Sequence, residues 1–336
     1  MTTLTPVAVR GSDYAELSRR VRGAGLLDRR PRYYAVRLAA LGVALGYTLL
    51  GMAVVGNSWY QLALAVPLAL VFGQLAFAGH DVGHRQVFAT RRAGEAAGLV
   101  LGNLLIGMSR GWWVDKHNRH HSHPNQVGHD PDIADGPITW TPEQTGARRG
   151  AGRVLARWQG HLFFPMLLLE GLNLHVASIR AVPGLPRRRR RAEALLLVAH
   201  AAWYLSLLLT VMSPVKALVF VAVHQGLFGV YLGCSFAPNH KGMPILDRDD
   251  NVDFLRRQVL TSRNVRGGPA VDLALGGLNY QVEHHLFPSM PMPNLRRAQP
   301  IVRAYCAEQG IPYHETGLVD SYRQALAHLR DVGREH

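Results

Sequence analysis

The chain has 336 residues, 48% of them hydrophobic, and a formal net charge of +14. Two cysteines, Cys234 and Cys306, exclude a disulfide framework. The arginines flank long apolar runs instead of mixing with aromatic residues, which argues against a nucleic-acid groove and for charge beside a membrane.

Residues 1–32 are polar and rich in Arg, and read as a cytosolic, partly amphipathic lead-in without the apolar core of a signal peptide. Apolar residues then run from 34 to 55, long enough to cross a bilayer core, which takes roughly 20 helical residues. Gly56-Asn57-Ser58 turns the chain into a second span over 59–78. His80 and His84 follow where that span ends, with Arg85, Arg91 and Arg92 marking the interface. The run 96–108 is apolar but too short to span. Residues 130–159 are polar, and 160–182 read as an interfacial helix lying along the membrane, with a spanning helix as the second reading, interrupted by Pro165, Glu170, Asn173 and His175. Arg187 to Arg191 form a basic anchor facing phospholipid, before spans over 192–212 and 215–236. Four spans leave both termini and every dense Arg block on one side, which the positive-inside rule makes cytosolic. The fold expected is therefore an all-α integral membrane protein: four transmembrane helices in two hairpins, with a cytosolic helical cap that carries a metal site. The lead-in 1–32, a membrane domain over 33–305 and a cytosolic tail over 306–336 complete the division, in a membrane such as the bacterial inner membrane.

Three histidine clusters fall on that cytosolic side. His80 and His84 stand one helical turn apart; His117, His120 and His121 share a face if their segment is helical. His284 and His285 close the run Gln281-Val282-Glu283-His284-His285, and His240 stands at the end of the fourth span. Neutral imidazole suits iron, copper, zinc and nickel. Seven histidines, before His240 is counted, are too many for one tetrahedral ion and about right for two ions of higher coordination. Two irons and two zincs fit this pattern equally. His123 and His129, with Asn125, read as ligands or as groups behind the ligands, and Asp130 and Asp132 as carboxylates that either orient imidazoles through the second ring nitrogen or cap local turns. His161, His175, His200, His314, His328 and His336 stand alone in their runs and read as packed or interfacial residues. His224 lies on the same predicted helix as His240, roughly 24 Å away at 1.5 Å per residue. One site takes only one of them, and His240 is at the cytosolic end.

HDVGH at 80–84, HNRHH at 117–121 and QVEHH at 281–285 resemble the three histidine boxes of the membrane fatty-acid desaturases, in the same order around two hairpins. The pattern WW-x-x-KHN-x-HH-x-x-PN, met by Trp112, Trp113, Lys116, Asn118, Pro124 and Asn125, and Gln at the head of the third box are similar to the front-end and linoleoyl-CoA desaturase-like subgroup. The resemblance implies two iron ions held by His80, His84, His117, His120, His121, His240, His284 and His285. Gln281 takes a ligand-box position and either coordinates through its oxygen, holds a water or supports its neighbour. It further implies a fatty acyl substrate, as acyl-CoA or acyl-lipid, desaturated with dioxygen and two electrons. These 336 residues hold no haem-binding HPGG motif. The expected electron donor is accordingly separate, a ferredoxin or flavin reductase system. The related chemistry of alkane or carotenoid hydroxylases and a zinc-dependent membrane hydrolase are the rival readings. For bond position, a saturated chain attacked near its middle is slightly preferred over front-end desaturation.

Overall fold

The computed structural model describes residues 13–334; residues 1–12 of the basic lead-in and His336 lie outside the described residues. Helix α1 (Asp13–Gly23) leads to two long helices, α2 (Pro31–Val55) and α3 (Gln61–Gly83). The short α4 (Arg91–Gly98) runs into a π-helical segment over Leu99–Leu105 and then α5 (Arg110–Ser122). After α6 (Pro142–Gly146) come α7 (Gly150–Leu167) and α8 (Glu170–Ala181), then the second long pair, α9 (Arg187–Val211) and α10 (Pro214–His240). The remainder is α11 (Phe254–Leu260), α12 (Pro269–Ala274), α13 (Gln281–Leu286), α14 (Met292–Glu308) and α15 (Leu318–Arg334). Two three-residue strands, Asn264–Arg266 and Glu315–Gly317, pair in parallel and tie the segment before α12 to the start of α15.

Helices α2, α3, α9 and α10 have 25, 23, 25 and 27 residues and are each apolar enough to span a membrane. Their sequences dictate this: apolar side chains occur all round the cylinder, the pattern of a helix whose outer face meets lipid. Val43, Leu50 and Val54 on α2, and Leu195, Val198 and Leu209 on α9, stand exposed on the outside. Inward, Phe72, Phe220, Phe228, Leu68 and Leu208 pack a core between the spans. A second core joins α1, α11, α13 and α14 through Leu17, Val21, Val259, Val282, Leu286 and Val302. Full burial of such a side chain stabilises by about 1.5–3 kcal/mol.

One detail differs from the sequence reading, and a second adds to it. Residues 160–182 form two helices, α7 and α8, bent by 83° at a short break, and the pair together is apolar enough to be a broken span. Pro165, in the last turn of α7, lacks the N–H that would continue the ladder and crowds the preceding turn. The basic block Arg187–Arg191 is helical, forming the first turns of α9.

Candidate metal centre

The histidines are delivered by the ends of four helices. His80 lies in the last turn of α3 and His84 caps it. Helix α5 carries His117, His120 and His121, and its start is fixed from outside. Ser109 accepts from Trp112 N, and Glu193 on α9 accepts from Ser109 Oγ at 2.6 Å and Gly111 N at 3.0 Å. A carboxylate at a helix N-terminus meets unpaired N–H groups and the positive end of the dipole. His240 ends α10, and the six-residue α13 carries Gln281, His284 and His285.

The ring nitrogens collect in two adjoining groups. His80, His84, His117, His121 and His284 form one, His120, His240 and His285 the other; within each, the facing nitrogens lie within 4.8 Å of one another. Nε2 faces Nε2: His84 to His117 at 2.9 Å, His117 to His121 at 3.0 Å, His80 to His284 at 3.1 Å, His240 to His285 at 3.0 Å and His120 to His240 at 3.3 Å. His121 and His285 stack at 4.2 Å where the groups meet.

Several second ring nitrogens point outward to acceptors. His80 Nδ1 meets Asp81 at 3.2 Å, His120 Nδ1 meets Asp130 at 3.0 Å, His240 Nδ1 meets the Thr261 carbonyl at 2.9 Å and His285 Nδ1 meets Gln258 Oε1 at 2.9 Å. An N–H held outward leaves the inward nitrogen with a lone pair, the tautomer a metal requires. Imidazoles that could donate only to one another would not turn so many acceptor nitrogens to two points. The donor set therefore fits two first-row transition ions. Burial, reinforced by neighbouring imidazoles, pushes His117, His121, His284 and His285 well below the ordinary imidazole range, so these rings are neutral. Burial lowers His120 as well, but the charges of Asp130 and Asp132 outweigh it and raise this one ring.

The supporting groups are layered behind. Asp130 accepts from Asn125 N at 2.7 Å and Asp132 N at 2.8 Å besides His120. Asp132 pairs with Lys116, and its carbonyl accepts from Lys241 at 3.1 Å. Asn125, at φ 52°, donates to the carbonyls of His240 and Pro244 at 3.0 and 3.2 Å, joining the second box to the end of α10. Gln281 reaches the second group: its Nε2 lies 2.9 Å from His240 Nε2, and its Oε1 accepts from Asn239 at 3.2 Å. His123 and His129 stack on each other at 4.9 Å and join neither group.

Two supports escaped the sequence reading. Gln258 donates to the His121 carbonyl at 2.9 Å while accepting from His285 Nδ1, so one side chain holds two boxes. Arg37 donates to Asp81 at 2.8 Å, with both groups buried. Its signal was present, since a lone charge inside an apolar span marks a partner there. His224 is sixteen residues before His240 on one continuous helix and instead faces Tyr204, with Oη 2.8 Å from its Nδ1.

A cavity of about 290 Å³ opens beside the two groups. His80, His117, His120 and His240 line it together with Ile106, Leu167, Leu174, Leu232 and Phe236, so the inward nitrogens stand over a mostly apolar cavity, whose wall also carries Arg110, Lys116, Asp132, Glu170 and Lys241.

Comparison with known proteins identifies the arrangement. The fatty acid desaturase family matches residues 57–317. An acyl-lipid (9-3)-desaturase of Physcomitrium patens is 31% identical over 81% of this chain, which spans 53% of that relative's length. The Delta(5) fatty acid desaturase of Caenorhabditis elegans is 30% identical over 92% of this chain and 70% of its own. An acyl-lipid 8-desaturase of Rebecca salina is 30% identical over 100% of this chain and 77% of its own. With three histidine boxes, four apolar helices and a family match over most of its length, this chain belongs to the fatty acid desaturase family.

Proposed function

We propose that the protein is a membrane-bound, di-iron fatty acyl desaturase that introduces a double bond using dioxygen and two electrons. The observation that carries this reading is the pair of imidazole groups standing over a mostly apolar cavity. His80, His84, His117, His121 and His284 would hold one iron, and His120, His240 and His285 the other, with Gln281 beside the second. Two irons supply the dioxygen chemistry that removes hydrogen from an unactivated C–H bond. The chain's own residues set the rest. Leu174, Leu232 and Phe236 hold the acyl chain against the histidines and exclude water. Asp81, Asp130, Gln258 and the Thr261 carbonyl keep the ring nitrogens oriented.

Relatives named for positions 5, 6 and 8 favour a bond near the carboxyl end over the mid-chain position slightly preferred from sequence. Electrons come from a separate acidic donor meeting the basic, cytosolic face in a bacterial inner membrane. The test is expression in a host without desaturases, fed stearate and linoleate separately, with double bonds located by mass spectrometry and metal content measured on purified protein. A new bond on the carboxyl side of linoleate, with about two irons per chain, is expected. Products heavier by one oxygen would instead mark a hydroxylase, and zinc without iron would overturn the di-iron reading.

A further inference from the structure

A hollow of about 1110 Å³ opens away from the histidine groups, between α7 and α15. It shares no lining residue with the acyl cavity. Arg153 and Arg157 of α7 and Arg330 and Arg334 of α15 line it, with Trp158 and His161. Among the described residues, no Asp or Glu lines it. The two helices cross closely: a Cβ on Gly333 would stand 2.2 Å from the Ala156 carbonyl oxygen, and one on Gly160 would stand 2.5 Å from Arg330 Cγ. The stem of Arg330 is therefore laid across Gly160, which fixes where its guanidinium emerges. Four guanidinium groups gathered in one concavity without a lining carboxylate repel one another, and an anion relieves that repulsion.

Helix α7 has two faces. Ala156, Gln159, Phe163 and Leu167 are buried, and Phe163 and Leu167 form part of the wall of the acyl cavity. Val154, Trp158 and Leu162 follow one another at helical spacing on the opposite face and are exposed. Leu168 and Leu169 continue this exposed apolar stripe past the end of the helix. The stripe leads to a spanning helix: a Cβ on Gly226, near the middle of α10, would touch Leu168 Cδ2 at 3.3 Å. From Leu168 back to Trp158 is about ten residues, roughly 15 Å of helix and about half the thickness of a bilayer core. The Trp158 end of the stripe, and the arginines beside it, accordingly reach head-group depth. Tryptophan settles at that depth, and arginine lays its stem on apolar surface there while its head stays polar.

We propose that the hollow between α7 and α15 binds an acidic phospholipid of the surrounding bilayer, its phosphate among the arginines and its acyl chains along the exposed stripe. This lipid is not the substrate. Its chains lie on the outer face of α7, while the acyl cavity lies on the inner face, so the lipid steadies the helix that walls the cavity. A soluble phosphate would leave the apolar stripe unused, and a zwitterionic lipid would bring its own cation against the arginines. Guanidinium is the side chain whose planar fork matches phosphate oxygens. The site depends neither on the metal nor on the reaction.

The test uses the full-length protein in phosphatidylcholine bilayers that carry a small fraction of brominated lipid, either phosphatidylglycerol or phosphatidylcholine. Bromine quenches indole fluorescence on contact, and the Trp158 signal is read as the difference between each protein and its Trp158→Phe counterpart. In wild type, brominated phosphatidylglycerol should quench Trp158 in clear preference to brominated phosphatidylcholine, and salt should weaken the preference. A basic side chain near an anionic lipid surface is worth roughly fivefold, so R157Q/R334Q should lower the preference by at least about tenfold. R303Q/R323Q removes the same charge from carboxylate-paired arginines of α14 and α15 outside the hollow and should keep the preference. R157Q alone, expected to lose about fivefold, serves if the double variant fails to fold. Equal quenching of wild type by the two lipids, or an unchanged preference in the R157Q variants, overturns the proposal. Relief of quenching by glycerol phosphate at concentrations matching the brominated lipid also overturns it, and would make the hollow a site for soluble phosphates. Binding of an acidic ferredoxin that is lost in R157Q/R334Q while the lipid preference persists would mark a protein-docking surface instead. Desaturation of the phosphatidylglycerol itself, lost in R157Q/R334Q, would make the bound lipid a substrate and refute its separate role.

Discussion

His120 holds its Nδ1 against both oxygens of Asp130 at 3.0 Å, and this contact turns Nε2 toward His240 and the second group. Asp130→Asn keeps the shape but removes the charge, so metal affinity should fall about 10- to 100-fold. Competition with a graded chelator, read as iron retained per chain, measures it; unchanged retention would show that Asp130 only closes the 125–132 turn. His284→Ala removes an inward nitrogen and should lower iron content and abolish product together. His200→Ala makes the informative contrast. From sequence His200 stands alone, yet it is stacked on Tyr204, hydrogen-bonded to the Leu104 carbonyl and close to His175 across Gly107. Its loss should leave iron content intact while costing stability of about 1–3 kcal/mol through lost packing and a void, since Trp203 still donates to the Leu104 carbonyl at 2.8 Å. Thermal melting and metal analysis on the same sample separate the two effects. The boxes were legible because tight spacing puts several imidazoles on one short segment. The grouping of His175, His200 and His224 was not, since each is a single polar residue on a different helix. Gln258 was equally silent, because its role depends on two boxes arriving at one side chain.

At the scale of elements, the position of α10 decides where His240 falls, and glycines set that position. A Cβ on Gly229 would lie 2.4 Å from the Leu167 carbonyl oxygen and 2.5 Å from Gly171 N, both backbone atoms at the α7–α8 bend. A Cβ on Gly233 would lie 2.4 Å from Leu167 Cδ2, the end of a side chain that can rotate away. Close backbone approach through small residues is how helices associate where lipid replaces water. Gly229→Ala must therefore push the bend aside, costing about 1–3 kcal/mol or more. Gly233→Ala recovers about 1 kcal/mol of helix propensity and should be near neutral. Melting temperatures in one detergent should rank them that way; equal melting would mean the bend yields freely. The long helices themselves were legible, since unbroken apolar runs bounded by Gly56 and Pro214 leave little choice. The bend was less so: Pro165 gives its place, but its angle comes from the fit against α10.

For the whole molecule, the two hairpin turns meet at the end opposite the histidines. Asn57 Oδ1 accepts from Ser213 N at 3.0 Å, and the Asn57 carbonyl accepts from Lys216 at 2.8 Å. Lys216 is the one Lys or Arg near these turns, while Arg85, Arg91, Arg92 and the run Arg187–Arg191 crowd the histidine-bearing end. Moving that basic fringe across a bilayer is opposed, so the charge asymmetry predicts its side: arginines and histidines cytosolic, Asn57 and Ser213 outside. A membrane-impermeant maleimide reads this directly. The Ser58→Cys variant should label in intact bacteria, and the Arg188→Cys variant only in inverted vesicles; Cys306 is fully buried and contributes little background. The reverse pattern would place the histidine groups on the outer face, away from cytosolic reductants. It would then overturn the orientation without disturbing the geometry of the centre, because the four helix ends that assemble it belong to the fold and not to its direction in the membrane.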